Sequence, residues 1–225
     1  MRLHVTPVRL AAGLLAAALC YPAAARAVDL QELVRETQHI SQEESRLTLV
    51  WWIPQEYWQA SLEKTANLRP EQRAAMLAAL EDLQIMALFR GKIGVGGVGE
   101  MPSREDMIAH SRFESNGNII KPLEQDKLNT GAQVILATLK PMLAGMLGQL
   151  GQGLQLVVYP SKHGAERLID PKKPGSFQYT FYDQTFKWRL PLASLLPNKV
   201  DPNTKEEFPG DYEFNPYTGV KLNSK

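Results

Sequence analysis

Cysteine is nearly absent from this chain of 225 residues, because Cys20 is the only one. It lies in an N-terminal apolar segment, so a protein that loses this segment has no disulfide, no thiol nucleophile and no thiolate metal ligand. Its core alone must then hold it together. An excess of basic charge is also missing, since 25 Lys and Arg face 24 Asp and Glu. Nucleic acid and anionic membranes are therefore not expected as partners.

Residues 1–27 have the composition of a secretory signal peptide. Two early arginines precede an apolar segment, residues 10–20, that is short for a membrane-spanning helix. Ala25 and Ala27 then form the small-x-small pattern of a signal-peptidase site. An uncleaved anchor is the alternative, and the adjacent cleavage site favours removal. We expect a periplasmic or secreted protein with no transmembrane anchor after cleavage.

The run of residues 47–53 is predicted to be a central strand. Six of its seven residues are apolar and Pro54 ends it, which is typical of a strand packed on both faces. Trp51 and Trp52 are neighbours, so they point to opposite faces and give each one a large apolar side chain.

The remaining pattern predicts an α+β fold, a mostly antiparallel sheet packed with helices, over residues 28–195. A small ribbon-like module, residues 196–225, follows. Helices are predicted for residues 29–40, after Pro54, from Pro70, and for 128–150 with a kink or break near Pro141. Strands are predicted for residues 83–93, 108–114, 119–123, 154–159 and, as one long strand, 177–190, with a turn at 115–118 and a surface turn at 170–175. A parallel crossover through the long helix is the alternative topology.

Two glycine patterns invite a functional reading. Residues 94–99 satisfy G-x-G-x-x-G, but Pro102 discourages the helix that a dinucleotide site needs, so a flexible loop or hairpin turn is predicted. Gly145, Gly148 and Gly151 recur at every third position. This spacing suits a membrane-packing face or tight packing on the sheet, and the polar residues among them favour the second.

No set of residues predicts catalysis, a cofactor or a metal site. The three histidines after residue 27 lack metal-ligand spacing. Ser161, His163 and Asp170 suggest a hydrolase, but no G-x-S-x-G sequence is present, and residues 160–164 are typical of a polar turn.

An aromatic cluster gives the candidate contact residues Trp52, Tyr57 and Trp58. Such rings can form a stacking platform for a sugar or a partner peptide, or they can belong to the core, which is the more common outcome.

The tail contains two copies of one turn, fourteen residues apart: residues 201–205 read D-P-N-T-K and residues 215–219 read N-P-Y-T-G. They resemble the paired C-P-x-C-G knuckles of a zinc ribbon, with Asp201, Thr204, Asn215 and Thr218 in the four cysteine positions. The other part of the chain resembles an exported bacterial protein.

This resemblance implies a ribbon that folds without zinc. Asp201 and Asn215 are expected to accept backbone N–H groups two residues on, with weaker bonds from the two threonines. Lys205, the counterpart of Gly219, would adopt the left-handed conformation at a cost of about 1–2 kcal/mol. Cohesion is expected from Phe208, Tyr212, Phe214, Tyr217 and Leu222.

The sequence thus favours an exported, non-enzymatic envelope or secreted protein that binds a protein or glycan of the cell envelope. The alternative is a hydrolase acting on an envelope polymer, with His163 and carboxylates brought together by the fold.

Cleavage between Ala27 and Val28 is the first prediction, because the arginines, the apolar segment and the small-x-small site occur in the required order. The intact mass of protein recovered from its host should equal that of residues 28–225. Retention of Cys20 in that protein would contradict the prediction and support the anchor.

Overall fold

The computed structural model describes residues 27–224, so the predicted signal segment lies outside the described residues apart from Ala27. The fold is α+β. Its helices are Leu30–Thr37 (α1), Gln55–Glu63 (α2), Pro70–Leu80 (α3), Arg104–Ala109 (α4) and Thr130–Met146 (α5), with 3₁₀ segments at Gln125–Lys127, Gly148–Gly153 and Ala193–Leu195. Its strands are Gln38–Glu43 (β1), Arg46–Ile53 (β2), Leu83–Gly94 (β3), Gly97–Gly99 (β4), Ser111–Ser115 (β5), Asn118–Ile120 (β6), Gln155–Pro160 (β7), Lys162–His163 (β8), Glu166–Arg167 (β9), Gly175–Phe181 (β10), Gln184–Leu190 (β11), Lys199–Val200 (β12), Glu207–Phe208 (β13) and Asn223–Ser224 (β14).

Two antiparallel sheets form the body of the protein. The first sheet has the order β1-β2-β3, and both β4 and β7 pair with different parts of β3. The second sheet has the order β11-β10-β5-β6. Every strand pairing in the two sheets is antiparallel, which confirms the predicted sheet type.

Strand β2 lies at the centre, and each of its tryptophans faces a different layer. The ring of Trp52 meets Phe177 of the second sheet at 4.7 Å between centroids. The ring of Trp51 meets Tyr57 of α2 at 5.3 Å. Both tryptophans are buried, so β2 joins a helical layer to a two-sheet sandwich, as the paired tryptophans predict.

Aromatic rings fill the space between the two sheets. Phe113 of β5 packs edge-on against Tyr159 of β7, with 5.0 Å between ring centroids. The hydroxyl groups of Tyr159 and Tyr179 share a hydrogen bond of 2.8 Å inside this layer, so neither buried phenol loses its polar partner.

Helix α1 is shorter than predicted. It ends at Thr37, and Ile40 lies in β1, where it pairs with Leu49 and is exposed. The predicted helical stripe through Ile40 is therefore wrong, because pairing with β2 overrides the local periodicity. Its start is as expected, since the Asp29 carboxylate accepts the N–H groups of Gln31 and Glu32.

The segment predicted as one long strand is a hairpin instead, and β10 and β11 are joined at Tyr182. Tyr182 has a φ of 55°, a conformation that is uncommon for a bulky residue. Its hydroxyl donates to Asp106 at 2.5 Å, the His110 ring stacks on it at 4.5 Å, and the guanidinium of Arg90 lies 4.3 Å from its centroid. Tertiary contacts stabilise this turn, and Tyr182 replaces the usual glycine or asparagine.

Other expectations are confirmed in part. The turn at 115–118 forms with positive φ at Asn116 and Gly117, and residues 94–97 form a hairpin turn. Residues 104–109, partly predicted as strand, are helical. Helix α5 continues through Pro141 without a break.

Only Gly151 of the three regularly spaced glycines packs closely, because a Cβ there would collide with the backbone of Ala144. Gly145 and Gly148 are exposed, so their predicted packing on the sheet is wrong. Among the described residues, no helix combines the length and the apolar character that crossing a membrane requires.

Replacing Trp52 with alanine should lower the free energy of unfolding by about 3–5 kcal/mol. The side chain is fully buried, and its indole N–H donates to the buried Gln84 at 2.7 Å. Denaturant midpoints measure this loss.

Tyr217→Ala is the matched control, since that ring is 84% exposed and its loss should change stability by no more than about 0.5 kcal/mol. A Trp52→Ala protein as stable as the control would show that β2 is not the central strand.

Candidate binding surfaces

The predicted contact residues Trp52, Tyr57 and Trp58 lie in the core. All three are buried, and Tyr57 packs edge-on against Trp58 with 5.2 Å between ring centroids. None of the rings has a free face on which a sugar or peptide could stack. The structure therefore places them in the core cluster, the more common of the two outcomes considered from the sequence.

The first tail turn is built around Asp201. One oxygen of its carboxylate accepts the backbone N–H groups of Asn203 at 2.8 Å and Thr204 at 3.1 Å. The hydroxyl of Thr204 accepts the N–H of Glu206 at 3.3 Å. Lys205 follows with a φ of 63°, so the expected Asx-turn and the left-handed lysine are both confirmed.

The second tail turn repeats this pattern around Asn215. Its side-chain oxygen accepts the N–H groups of Tyr217 at 2.9 Å and Thr218 at 3.3 Å. The hydroxyl of Thr218 accepts the N–H of Val220 at 3.4 Å, and Gly219 has a φ of 72°. The two turns thus use the same groups in the same order.

A direct hydrogen bond joins the two turns. The side-chain amide of Asn215 donates to the second carboxylate oxygen of Asp201 at 2.6 Å, and both residues are buried. This bond and the two backbone N–H groups lower the pKa of Asp201, because they favour the charged carboxylate. We call this contact the Asp201–Asn215 bond.

Five apolar residues were expected to hold the tail together by packing, and only two of them are buried. Phe208 and Leu222 are buried, beside the small sheet β13-β12-β14. Tyr212, Phe214 and Tyr217 are exposed, so they do not supply the packing that the sequence suggested.

Helix α5 presents an apolar surface to solvent. Lys140 is the only charged residue among its 17, and its buried side carries Leu136, Leu139 and Leu143. Beside this buried side, the helix exposes Val134 (61%), Met142 (45%) and Met146 (63%). Thr138 lies between Val134 and Met142, and its hydroxyl donates a hydrogen bond to the Val134 carbonyl at 3.0 Å. We define the α5 face as Val134, Thr138, Met142 and Met146, which recur every fourth residue and so share one side of the helix.

A cleft of about 690 Å³ lies between the β5–β6 hairpin and the β8–β9 hairpin. Apolar side chains and a group of basic ones line it together. Its members include Ile119, Leu123, Leu168, Lys121, Lys162 and His163. We name it the β6 cleft, and its volume is typical of a ligand site.

The Ser161, His163 and Asp170 set is not joined by hydrogen bonds among the described residues, and the Ser161 hydroxyl donates to the Glu81 carbonyl instead. The Asp170 carboxylate accepts the N–H of Lys172 at 3.0 Å and lies 3.5 Å from the Lys173 ammonium. His163 lies exposed on β8, and no hydrogen bond or ion pair joins it to Asp170 in that part of the chain. Nor do three or more potential ligand side chains of residues 27–224 come together as a metal site.

Comparison of the chain with known proteins found no matching family model, no matching curated protein and no matching solved structure.

Sequence reasoning missed both new surfaces. The α5 face had a visible signal, because residues 130–146 contain a single charge and a second apolar stripe beside the core stripe. The β6 cleft had none, since its walls are hairpins more than forty residues apart in sequence.

Proposed function

We propose that this is an exported, non-enzymatic protein that binds a protein partner of the cell envelope through the α5 face. The observation that carries the proposal is the exposure of Val134, Met142 and Met146 on a helix with one charge. Contiguous apolar side chains on the surface of a soluble protein commonly mark an interaction site. Export is supported by the composition of residues 1–27.

The chemistry of the α5 face favours an apolar helix of another protein as the partner. A helix that lies on a membrane surface usually carries several Lys or Arg on its polar side, whereas α5 has only Lys140, which donates to Gln155 at 3.0 Å. A glycan platform would need exposed aromatic rings, and the α5 face has none. Methionine side chains adapt to varied apolar surfaces, and apolar residues at four-residue spacing suit helix–helix contact.

We also propose that the tail is a ribbon of the zinc-ribbon type in which the Asp201–Asn215 bond takes the place of the metal. In a zinc knuckle, thiolates bind the metal and also receive backbone N–H groups. Here the carboxylate and the amide oxygen receive those N–H groups, and the bond between the side chains links the two turns. The role proposed for this module is to hold the C-terminus in place without a metal.

Capture from envelope extract tests the α5 face. The double variant Met142→Glu, Met146→Glu should retain at least tenfold less partner than the unmodified protein, because two buried carboxylates would be unpaired in an apolar interface. Circular dichroism checks that the variant is folded.

Ile40→Glu is the control for this experiment, since Ile40 is an exposed apolar residue on β1, at the far edge of the first sheet. Equal capture by the double variant and the control would contradict the proposal. The proposal would also be contradicted if the unmodified protein captured no partner and bound lipid vesicles through the α5 face.

Four cysteines should create a zinc site in the tail. The variant Asp201→Cys, Thr204→Cys, Asn215→Cys, Thr218→Cys is expected to bind one equivalent of Zn²⁺, measured by elemental analysis, and EDTA should lower its Tm. The unmodified protein should contain no stoichiometric zinc or calcium, and EDTA should leave its Tm unchanged.

A second four-cysteine variant is the control, with Asn203→Cys and Tyr217→Cys in place of the changes at Asp201 and Asn215. Its thiols lie in the same turns, but all four start from exposed positions, whereas Asp201 and Asn215 are buried. Equal zinc binding by the two variants, or tightly bound zinc in the unmodified protein that Asp201→Ala removes, would contradict the ribbon.

A further inference from the structure

The β6 cleft follows the edge of a strand. β6 is the last strand of the second sheet, and its three residues, Asn118 to Ile120, line the cleft together with the three residues that follow them. Successive residues of a strand point to opposite faces, so a cleft lined by all of them runs along the strand's edge and not over one face. Among the described residues, the backbone of Ile119 makes no hydrogen bond on the side away from β5. An extended chain can add to such an edge.

Lys121 gives the rim of the cleft one cation that no acid engages within residues 27–224. Lys162 is engaged by Glu81 at 2.6 Å and by Asp82 at 3.1 Å, and the Arg167 guanidinium makes two hydrogen bonds to the Glu56 carboxylate. Lys121 and His163, by contrast, have no side-chain hydrogen bond or ion pair within residues 27–224. Among the described residues that line the cleft, Glu166 is the only acid.

The two free groups sit on opposite walls. Lys121 directly follows β6, and His163 belongs to the β8–β9 hairpin across the cleft. Ile119, in β6 two residues before Lys121, is 55% exposed and offers an apolar contact at the strand edge. A ligand that complements the open edge of β6, the Lys121 ammonium and the Ile119 side chain needs three things. It needs an extended backbone with free N–H and C=O groups, an acidic side chain and an apolar side chain.

We propose that the β6 cleft binds an extended acidic peptide segment of another protein, which adds as a strand along β6. Backbone hydrogen bonds to the edge of β6 supply affinity that is independent of sequence. A carboxylate of the peptide pairs with Lys121, and a neighbouring β-branched or aromatic side chain packs on Ile119. This site is separate from the α5 face, so either proposal can fail alone.

Selection from a displayed library of random ten-residue peptides tests the site. The target of the selection is the protein in the form that its host produces. Enriched peptides should place Asp or Glu next to a β-branched or aromatic residue. In ¹⁵N spectra, a selected peptide should shift the backbone amides of residues 118–121 and of His163. N-methylation of one central peptide bond should weaken binding at least tenfold, because it removes a strand hydrogen bond.

Charge reversal completes the experiment. Lys121→Glu should weaken the selected peptide at least tenfold, whereas Lys187→Glu, at an exposed lysine of β11 on the other edge of the same sheet, should not. Four results would each overturn the proposal: no enrichment, enrichment without acidic residues, amide shifts away from β6, or binding that survives N-methylation. If the α5 variants lose partner capture but still bind the peptide, the proposal for the β6 cleft is unaffected.

Discussion

The placement of two indole rings on opposite faces of β2 is the constraint on which the architecture depends. Trp51 packs toward α2 and Trp52 packs toward the second sheet, so one strand serves both hydrophobic layers. Each indole N–H also has a partner, Thr37 for Trp51 and Gln84 for Trp52. These bonds matter because a buried donor without a partner costs about 1–3 kcal/mol. Hydrogen bonds as well as packing therefore hold the two indole rings in their orientations.

The sequence predicted the parts of the fold whose signals are local. Residues 47–53 have the composition of a doubly packed strand, the Asn116–Gly117 pair forms the expected turn, and Asp201 and Asn215 form the expected Asx-turns. In each case a few adjacent residues determine the conformation by side-chain size, by tolerance of positive φ or by a hydrogen bond to a nearby N–H.

The elements that sequence reasoning missed depend on distant residues. The chain forms a turn at Tyr182 because Asp106, His110 and Arg90 contact this residue. The residues next to Tyr182 in the sequence do not predict these contacts. Ile40 leaves the helical pattern because β2 offers it a pairing partner. The same distinction applies to the sites. The α5 face could be read from one helix, while the β6 cleft exists only after two remote hairpins meet.

The tail shows why a metal can be replaced when the turns satisfy their own backbone groups. A metal joins two knuckles through four ligands, and the Asp201–Asn215 bond joins them through one short contact to a charged acceptor, a type of hydrogen bond that is stronger than a neutral one. One bond constrains the two turns less than a metal does, so further contacts are needed. Phe208 and Leu222 provide apolar burial, and β12 pairs with both β13 and β14. Because Tyr212, Phe214 and Tyr217 are exposed, this cohesion comes from backbone pairing more than from an aromatic core.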